Sequence, residues 1–275
     1  MAKPTIKDII AVMKNIAPPD LALPDDKIGL QIGEENISVD AILLCLDVTK
    51  NIVEEAKERG ANLIIAHHPL IYTPLKQLHF SRPPVDAIKE ALNSNISTYI
   101  AHTNLDVAPG GVNDALLKTL EPDLKIEMKE PLLPIRDKPD IGLGKFVSLE
   151  DEKDLWEIVS AVKKRLAAQN IRVGGAENHK IRKIALCAGN CRELIYPACQ
   201  KGAQLFLTGE LGYHSLLEAK SLGLSVIEAG HYETEVVILP FLKQKLEEKF
   251  KEKNWKVKIF KSEVCTSPYL TKSLS

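Results

Sequence analysis

Two stretches of the chain follow the same strand–helix–strand pattern, and this internal repeat limits the possible folds more than any other feature. Residues 41–66 consist of an apolar run, an amphipathic stretch, a glycine and a second apolar run, and residues 183–208 follow the same order. One constant offset aligns Ile42 with Ile184, Leu44 with Leu186, Cys45 with Cys187 and Gly60 with Gly202. Each repeat predicts two strands joined by a helix. A crossover of this length favours parallel strands with a right-handed connection.

A third apolar run follows in both repeats and ends in a histidine that precedes an acidic residue. The two pairs are His102 with Asp106 and His231 with Glu235, and both have the spacing His-x3-acid. Matching strand patterns arise easily by chance, whereas a shared His-x3-acid pair at matching strand ends does not. We therefore expect an α/β fold of two similar lobes that arose by internal duplication.

The join between the lobes is expected near residues 121–145, which are rich in proline and charge. The first α/β lobe is thus predicted over residues 1–125 and the second over residues 126–275, with an approximate boundary. A C-terminal amphipathic helix at about 236–253 and an alternating strand after it fall within the second lobe.

Histidines and acidic residues gather where the predicted parallel strands end. His67 and His68 follow the strand 63–66, Glu210 occupies the corresponding place in the second repeat, and the two His–acid pairs follow the third strands. Ligands of open parallel sheets bind at these carboxyl ends. Imidazole binds zinc, iron or manganese, and carboxylates can bridge two ions. A lone histidine at a strand end is more often a surface residue, so the metal hypothesis depends on the whole cluster.

Composition excludes several classes of function. The 275 residues contain 36 Lys and Arg against 37 Asp and Glu, so the chain lacks the basic excess of nucleic-acid-binding proteins. No run approaches ~20 apolar residues, the length that a membrane helix needs. The N-terminal segment is typical of an amphipathic helix and not of a signal peptide. We therefore expect a cytoplasmic protein with five reduced cysteines.

Several short motifs are spread over nearly the whole chain: DDKIGLQIG, LDVT, AHHPLIY, AHTNLD followed by GGVNDAL, LTGELGYH and GHYETE. In this combination the sequence resembles the NIF-three-like (DUF-thirty-four) dinuclear-metal family, whose members are often labelled GTP cyclohydrolase I type 2 homologues. One departure lies at residues 25–27, where Asp-Asp-Lys stands in place of the Trp-Asp-Asn that many members carry.

The resemblance implies a metal site in the cleft between the lobes, two divalent ions per chain and a homohexamer. By position, the implied metal ligands are His67, His68, Asp106, His231 and Glu235. His102 would lie beside the ions, as an auxiliary ligand or as a group that orients a ligand. Glu210 is not part of that implied set: it occupies the repeat position of His68, so it is either an auxiliary or orienting group or a structural residue. No inserted third domain is expected. The family label implies a hydrolase that opens the imidazole ring of a purine nucleotide and releases formate.

Three functions stay open at this point. The first is a metal-dependent hydrolase of a nucleotide-like small molecule, the second is a non-enzymatic carrier or chaperone for iron or zinc, and the third is an interaction module with a structural metal site. The sequence assigns neither catalytic residues nor a physiological substrate. Histidine and carboxylate ligands leave zinc, iron and manganese as alternatives.

Overall fold

The computed structural model of the chain describes residues 3–270. The helices within this range are α1 (Ile6–Ile16), α2 (Lys50–Glu58), α3 (Val85–Asn93), α4 (Thr103–Val107), α5 (Val112–Leu124), α6 (Leu155–Leu166), α7 (Ile195–Gln200), α8 (Tyr213–Ser221), α9 (His231–Glu235) and α10 (Ile238–Glu252). The strands are β1 (Gly29–Ile32), β2 (Ala41–Cys45), β3 (Leu63–Ala66), β4 (Ser97–Ile100), β5 (Ile126–Ile135), β6 (Lys138–Asp154), β7 (Arg172–Gly175), β8 (Lys180–Cys187), β9 (Leu205–Thr208), β10 (Ser225–Glu228) and β11 (Lys258–Lys261). None of the described helices has the length and apolar character that crossing a membrane requires.

The chain forms two compact units. The first comprises the chain up to Ala108 together with Leu239–Ser267, and the second comprises Pro109–Ile238 together with the described residues from Pro268 onward. From the sequence, α10 and β11 are expected in the second lobe. In the structure β11 and nearly all of α10 belong to the first unit, because β11 pairs in parallel with β2.

The first unit is built on a five-stranded sheet with the order β1-β4-β3-β2-β11. Strands β11, β2, β3 and β4 run parallel, and β1 pairs antiparallel with β4. Every residue of β2, β3 and β4 is buried, as is typical of parallel strands that are covered on both faces. The strand predicted at 63–66 is observed with those bounds as β3, and α2 is the crossover from β2 to β3.

Local sequence signals determine where the helices of this unit begin. The side chain of Thr5 accepts a hydrogen bond from the backbone N–H of Asp8, whose carboxylate accepts one from the N–H of Thr5, which is a capping box at α1. At α2 the side chain of Thr49 accepts from the N–H of Ile52. This cap lies at the end of the loop that follows β2, and Asp47 lies in the same loop.

The second unit is built on a six-stranded sheet with the order β5-β6-β8-β9-β10-β7. Strands β8, β9 and β10 are parallel, and β7 pairs antiparallel with β10. Strands β7, β10, β9 and β8 therefore occupy the same relative places in their sheet as β1, β4, β3 and β2 do in the first sheet. In each sheet, three parallel strands in chain order are flanked by one antiparallel strand at the edge.

The expected join at residues 121–145 is ordered secondary structure. It contains the end of α5, β5 and the start of β6, and β5 and β6 form a long antiparallel hairpin. Pro131 and Pro134 lie in β5, which is an edge strand of the sheet and can lack an N–H donor at little cost. Leu132 lies between them and packs into the apolar core of the unit. The prolines therefore mark an edge strand and not a linker.

The cysteines have three kinds of environment. Cys187 and Cys191 form a disulfide, so the expectation of five reduced thiols is wrong for this pair. Cys45 is buried in β2, and this burial raises the pKa of its thiol well above the ordinary value. Cys199 is half-buried and Cys265 is exposed.

Thiol alkylation tests these environments. Under native conditions without reductant, iodoacetamide is expected to modify Cys265 fastest and to leave Cys45 unmodified, because the thiolate is the reactive form. Unfolding without reductant should expose three thiols, and unfolding with reductant should expose all five. Peptide mass spectrometry gives the count, and five alkylated cysteines without reductant would contradict the disulfide.

A second prediction concerns the contribution of Phe206 to the packing of the core. Phe206 is fully buried in β9, so Phe206→Ala should lower the free energy of unfolding by about 3–5 kcal/mol. The control Trp156→Ala removes a ring that is 58% exposed, and it should cost less than about 1 kcal/mol. Chemical denaturation of both variants measures the difference, and equal losses would argue against the core position of Phe206.

Candidate metal-binding site

The first unit brings together four of the predicted site residues, which we call the first-unit group: His67, His68, His102 and Asp106. His67 and His68 follow β3, His102 precedes α4 and Asp106 lies within α4. One ligand atom from each histidine lies within 4.8 Å of those of the other two. His67 Nε2 lies 3.5 Å from Asp106 Oδ1. Strands β3 and β4 are parallel neighbours, so their carboxyl ends place these side chains at one edge of the sheet.

Each histidine of this group has its Nδ1 atom hydrogen-bonded to an oxygen. The acceptors are the backbone carbonyl of Ala101 for His67 at 2.9 Å, Asp47 Oδ1 for His68 at 2.8 Å and Asp26 Oδ1 for His102 at 2.8 Å. Carbonyl and carboxylate oxygens only accept, so Nδ1 carries the proton in all three rings. In the neutral form of each ring the lone pair is then on Nε2, which is an arrangement found in metal-binding histidines.

Asp26 is a nearly buried carboxylate that holds His102 and the start of α4. Besides His102 it accepts hydrogen bonds from the backbone N–H and the hydroxyl of Thr103. Burial alone would raise its pKa, but the hydrogen bonds from Thr103 and His102 outweigh burial and hold the pKa of Asp26 below the ordinary value. A charged Asp26 therefore faces the imidazole of His102.

Asp26 and Asp47 are not among the site residues predicted from the sequence. Both lie within quoted motifs, DDKIGLQIG and LDVT, and Asp47 comes two positions after β2 ends at Cys45. An acidic residue at a strand end is the same kind of signal that identified His67 and His68. That signal could have found Asp47, whereas the contact between Asp26 and His102 depends on the fold.

The second unit brings together the remaining predicted residues, which we call the second-unit group: His231, Glu235 and Glu210. His231 and Glu235 are one turn apart on α9, and His231 Nε2 lies 3.1 Å from Glu235 Oε1. Glu210 follows β9 and accepts from His231 Nδ1 at 3.1 Å. Nδ1 of His231 thus contacts a carboxylate oxygen, as Nδ1 does in His68 and His102, and Glu210 supplies that oxygen.

The backbone of Gly189 packs against the second-unit group. Its N–H donates to Thr234 Oγ1 at 3.1 Å, and its carbonyl accepts from the N–H of Glu210 at 3.1 Å. A Cβ atom at this position would lie 2.3 Å from Glu235 Oε1 and 3.3 Å from His231 Nε2. Only glycine allows the backbone to approach these two side chains so closely.

A cavity of about 230 Å³ in the second unit opens beside His231. Its walls include polar and aromatic side chains from four segments: Gln169, Asn170, Arg172, Glu228, Glu233 and Tyr269. Arg172 pairs with the buried Glu228 through Nε at 3.1 Å. The cavity therefore offers amide, carboxylate and guanidinium groups next to a candidate metal ligand.

The other histidines lie outside both groups. His79 bonds through Nε2 to Gln77 at 2.8 Å, and the ring of His214 packs against Tyr213. His79, His179 and His214 are exposed.

Comparison with known proteins agrees with these motifs. The profile of the Duf34/NIF3 (NGG1p interacting factor 3) family matches residues 4–268. The chain belongs to the Duf34/NIF3 family. A relative from Clostridium perfringens, named GTP cyclohydrolase 1 type 2 homolog, is 34% identical over 89% of this chain and 92% of its own length.

Several solved structures have the same fold. A Bacillus cereus protein described as related to NIF3 matches with a TM-score of 0.92 and 28% identity, over 99% of this chain and 100% of that one. The structure described as reduced HcgD from Methanocaldococcus jannaschii matches with a TM-score of 0.78 and 28% identity, over 96% of this chain and 100% of that one.

The donor atoms of this Duf34/NIF3 protein suit divalent transition metals. The first-unit group offers three imidazoles and a carboxylate, and the second-unit group offers an imidazole and a carboxylate. This mixture of borderline nitrogen and hard oxygen ligands is compatible with zinc, iron and manganese. The residues present therefore fit the metal binding that the sequence predicts.

A pair of glycine variants separates backbone strain from the effect on the second-unit group. Gly189 and Gly202 both have positive φ, +69° and +75°, so alanine should cost stability at either position. Only at Gly189 would the new methyl group displace Glu235. Gly189→Ala is therefore expected to weaken zinc binding by at least about 10-fold, whereas Gly202→Ala should bind zinc like the unchanged protein.

The measurement is competition with a chromophoric chelator, together with thermal unfolding of both metal-free variants. Equal zinc affinities in the two variants would contradict the contact between Gly189 and Glu235.

Proposed function

We propose that this protein binds two divalent metal ions per chain and uses them to hydrolyse a nucleotide-like small molecule. The observation that carries this proposal is the common orientation of His67, His68, His102 and His231. In all four, Nδ1 is hydrogen-bonded to an oxygen, which would leave Nε2 as the ligand atom. A shared orientation is expected where each histidine must present the same nitrogen to an ion.

The proposed ligands are His67, His68 and Asp106 of the first unit and His231 and Glu235 of the second. His102 is an auxiliary ligand or a neighbour of the ions, and Glu210 orients His231. We propose that both groups serve one dinuclear centre in a cleft between two duplicated lobes. The shared strand order of the two sheets supports this proposal, as do the corresponding places of His68 and Glu210, each two residues after a second parallel strand.

Divalent ions supply hydrolytic chemistry by lowering the pKa of water and by polarising an electrophilic centre. The protein's own residues would bind and orient the substrate. The cavity beside His231 suits a purine base and its substituents, because Gln169 and Asn170 offer both donors and acceptors. Arg172 adds a guanidinium at the wall, a group that recognises phosphate well. The name GTP cyclohydrolase 1 type 2 homolog, carried by relatives, agrees with such a substrate.

A metal carrier is the alternative that one observation favours. His68 and His231 are partly exposed, whereas His67 is buried. Partly exposed ligands would let an acceptor protein reach an ion before it is released. Transfer to a metal-free acceptor that is faster than release to a chelator would support this function over hydrolysis.

Two further expectations come from the sequence: the homohexamer rests on the family resemblance, and the cytoplasmic location rests on the composition. We propose that the protein assembles as a homohexamer and that it acts in the cytoplasm. Light scattering at several protein concentrations measures the first, and fractionation of cells that produce the protein measures the second.

Ligand substitutions test the proposed function. His67→Ala and Glu235→Ala are each expected to lower the metal content below two ions per chain and to abolish the hydrolysis of purine nucleotides in the presence of zinc, manganese or iron. His214→Ala is the control, because His214 is exposed and lies outside both groups. Metal content is measured by elemental analysis and hydrolysis by chromatography of the products.

The outcomes separate the alternatives. Full metal content and full turnover in both ligand variants would reject the proposed centre. Metal binding without turnover of any purine nucleotide would reject the proposed hydrolase function and leave the metal carrier as the alternative.

A further inference from the structure

The carboxylate of Asp47 bonds to two side chains from distant parts of the first unit. Its Oδ1 atom accepts from His68 Nδ1 at 2.8 Å, and its Oδ2 atom accepts from the hydroxyl of Thr266 at 2.6 Å. Thr266 lies after β11 and is 219 positions from Asp47 in the chain. A hydroxyl bond to a carboxylate is charge-assisted and short, as this one is.

The same arrangement occurs a second time in the first-unit group. Asp26 accepts from His102 Nδ1 on one oxygen and from the hydroxyl of Thr103 on the other. In that case the hydroxyl comes from the residue next to the histidine. For His68 the corresponding hydroxyl comes from Thr266, so a segment that is remote in the chain supplies the second hydrogen bond to the carboxylate.

The segment that carries Thr266 is itself anchored. The hydroxyl of Ser262 and the N–H of Glu263 both donate to the carboxylate of Glu55, which is nearly buried. Arg59 pairs with Glu263 at 3.1 Å and with Glu55 at 2.9 Å. These contacts hold residues 262–266 against α2, so the hydroxyl of Thr266 has a defined position.

We propose that Asp47 and Thr266 are positioning residues for His68, and that the segment after β11 thereby sets the affinity of the first-unit group for a divalent ion. The side chain of Asp47 is 38% exposed. A carboxylate with that much solvent around it can rotate, and the bond from Thr266 keeps Oδ1 turned towards Nδ1 of His68. The inference rests on the metal binding proposed above, but not on hydrolysis.

The test uses the full-length protein and two probes, zinc in competition with a chelator and cobalt(II) followed by its visible absorption spectrum. Thr266→Val keeps the shape of the side chain and removes the hydroxyl, so it is expected to weaken binding by about 3- to 10-fold. Asp47→Ala should weaken it by about 10- to 100-fold. Both variants should change the cobalt spectrum, because the ring of His68 is no longer held at one angle.

Three controls distinguish positioning from general destabilisation. Thr266→Ser keeps a hydroxyl and should restore the affinity and the spectrum. Thr119→Val removes a half-buried hydroxyl that bonds to the carbonyl of Ala115 in the second unit, and it should leave both readouts unchanged. In the Asp47→Ala background, Thr266→Val should have no further effect on affinity, because the two residues act through one carboxylate.

Unchanged affinity and spectrum in Asp47→Ala would overturn the inference even if Thr266→Val did not fold. A full additional loss from Thr266→Val in the Asp47→Ala background would also overturn it. If the unchanged protein bound neither probe, the proposed metal function would fall as well. If the unchanged protein bound the probes and neither substitution had an effect, this inference would be overturned and the proposed metal binding would stand.

Discussion

A hydrogen bond from Nδ1 to a fixed oxygen is the interaction on which both groups depend. An imidazole ring has two nitrogens that can exchange roles, and a neutral ring that is free to rotate can present either of them. His67 is held by a backbone carbonyl, and His68, His102 and His231 are held by carboxylates. The carboxylates also place negative charge behind the rings, which makes Nε2 a stronger donor to a cation.

The fold supplies these acceptors because the strands end together. β2, β3 and β4 are parallel neighbours, so the loops that follow them lie at one edge of the first sheet. Asp47 comes from the first of these loops, His67 and His68 from the second, and His102 from the third. In the second sheet Gly189, Glu210 and His231 follow β8, β9 and β10 in the same order. An orienting group and a candidate ligand therefore come from neighbouring loops in both units.

The sequence predicts the parts of this arrangement that are local. The apolar run at 63–66 becomes β3 with those bounds, since a short buried strand is defined by its own residues. The histidines and acids at the strand ends were identified because their chemistry is unusual at such places.

Other parts could not be predicted, because they depend on which segments pair. The hairpin of β5 and β6 contains prolines that are typical of linkers, and only its edge position makes them acceptable. The partner of β11 is β2, far away in the chain, and nothing in the local pattern of either strand specifies that pairing. The role of Asp47 is clear only once β11 and the segment after it are in place.

This difference in locality has a consequence for folding. The second-unit group comes entirely from the continuous segment Pro109–Ile238, so its three side chains need only contacts within that segment. The first-unit group is complete only when Leu239–Ser267 has returned to the first sheet, since β11 extends that sheet and Thr266 holds Asp47. Closing so long a loop costs conformational entropy before any contact is gained. His67 and His102 take their acceptors, 34 and 76 positions away in the chain, from the segment that ends at Ala108. The bond from Thr266 to Asp47, behind His68, requires the C-terminal segment. The full set of these contacts is therefore present once the C-terminal strand has paired.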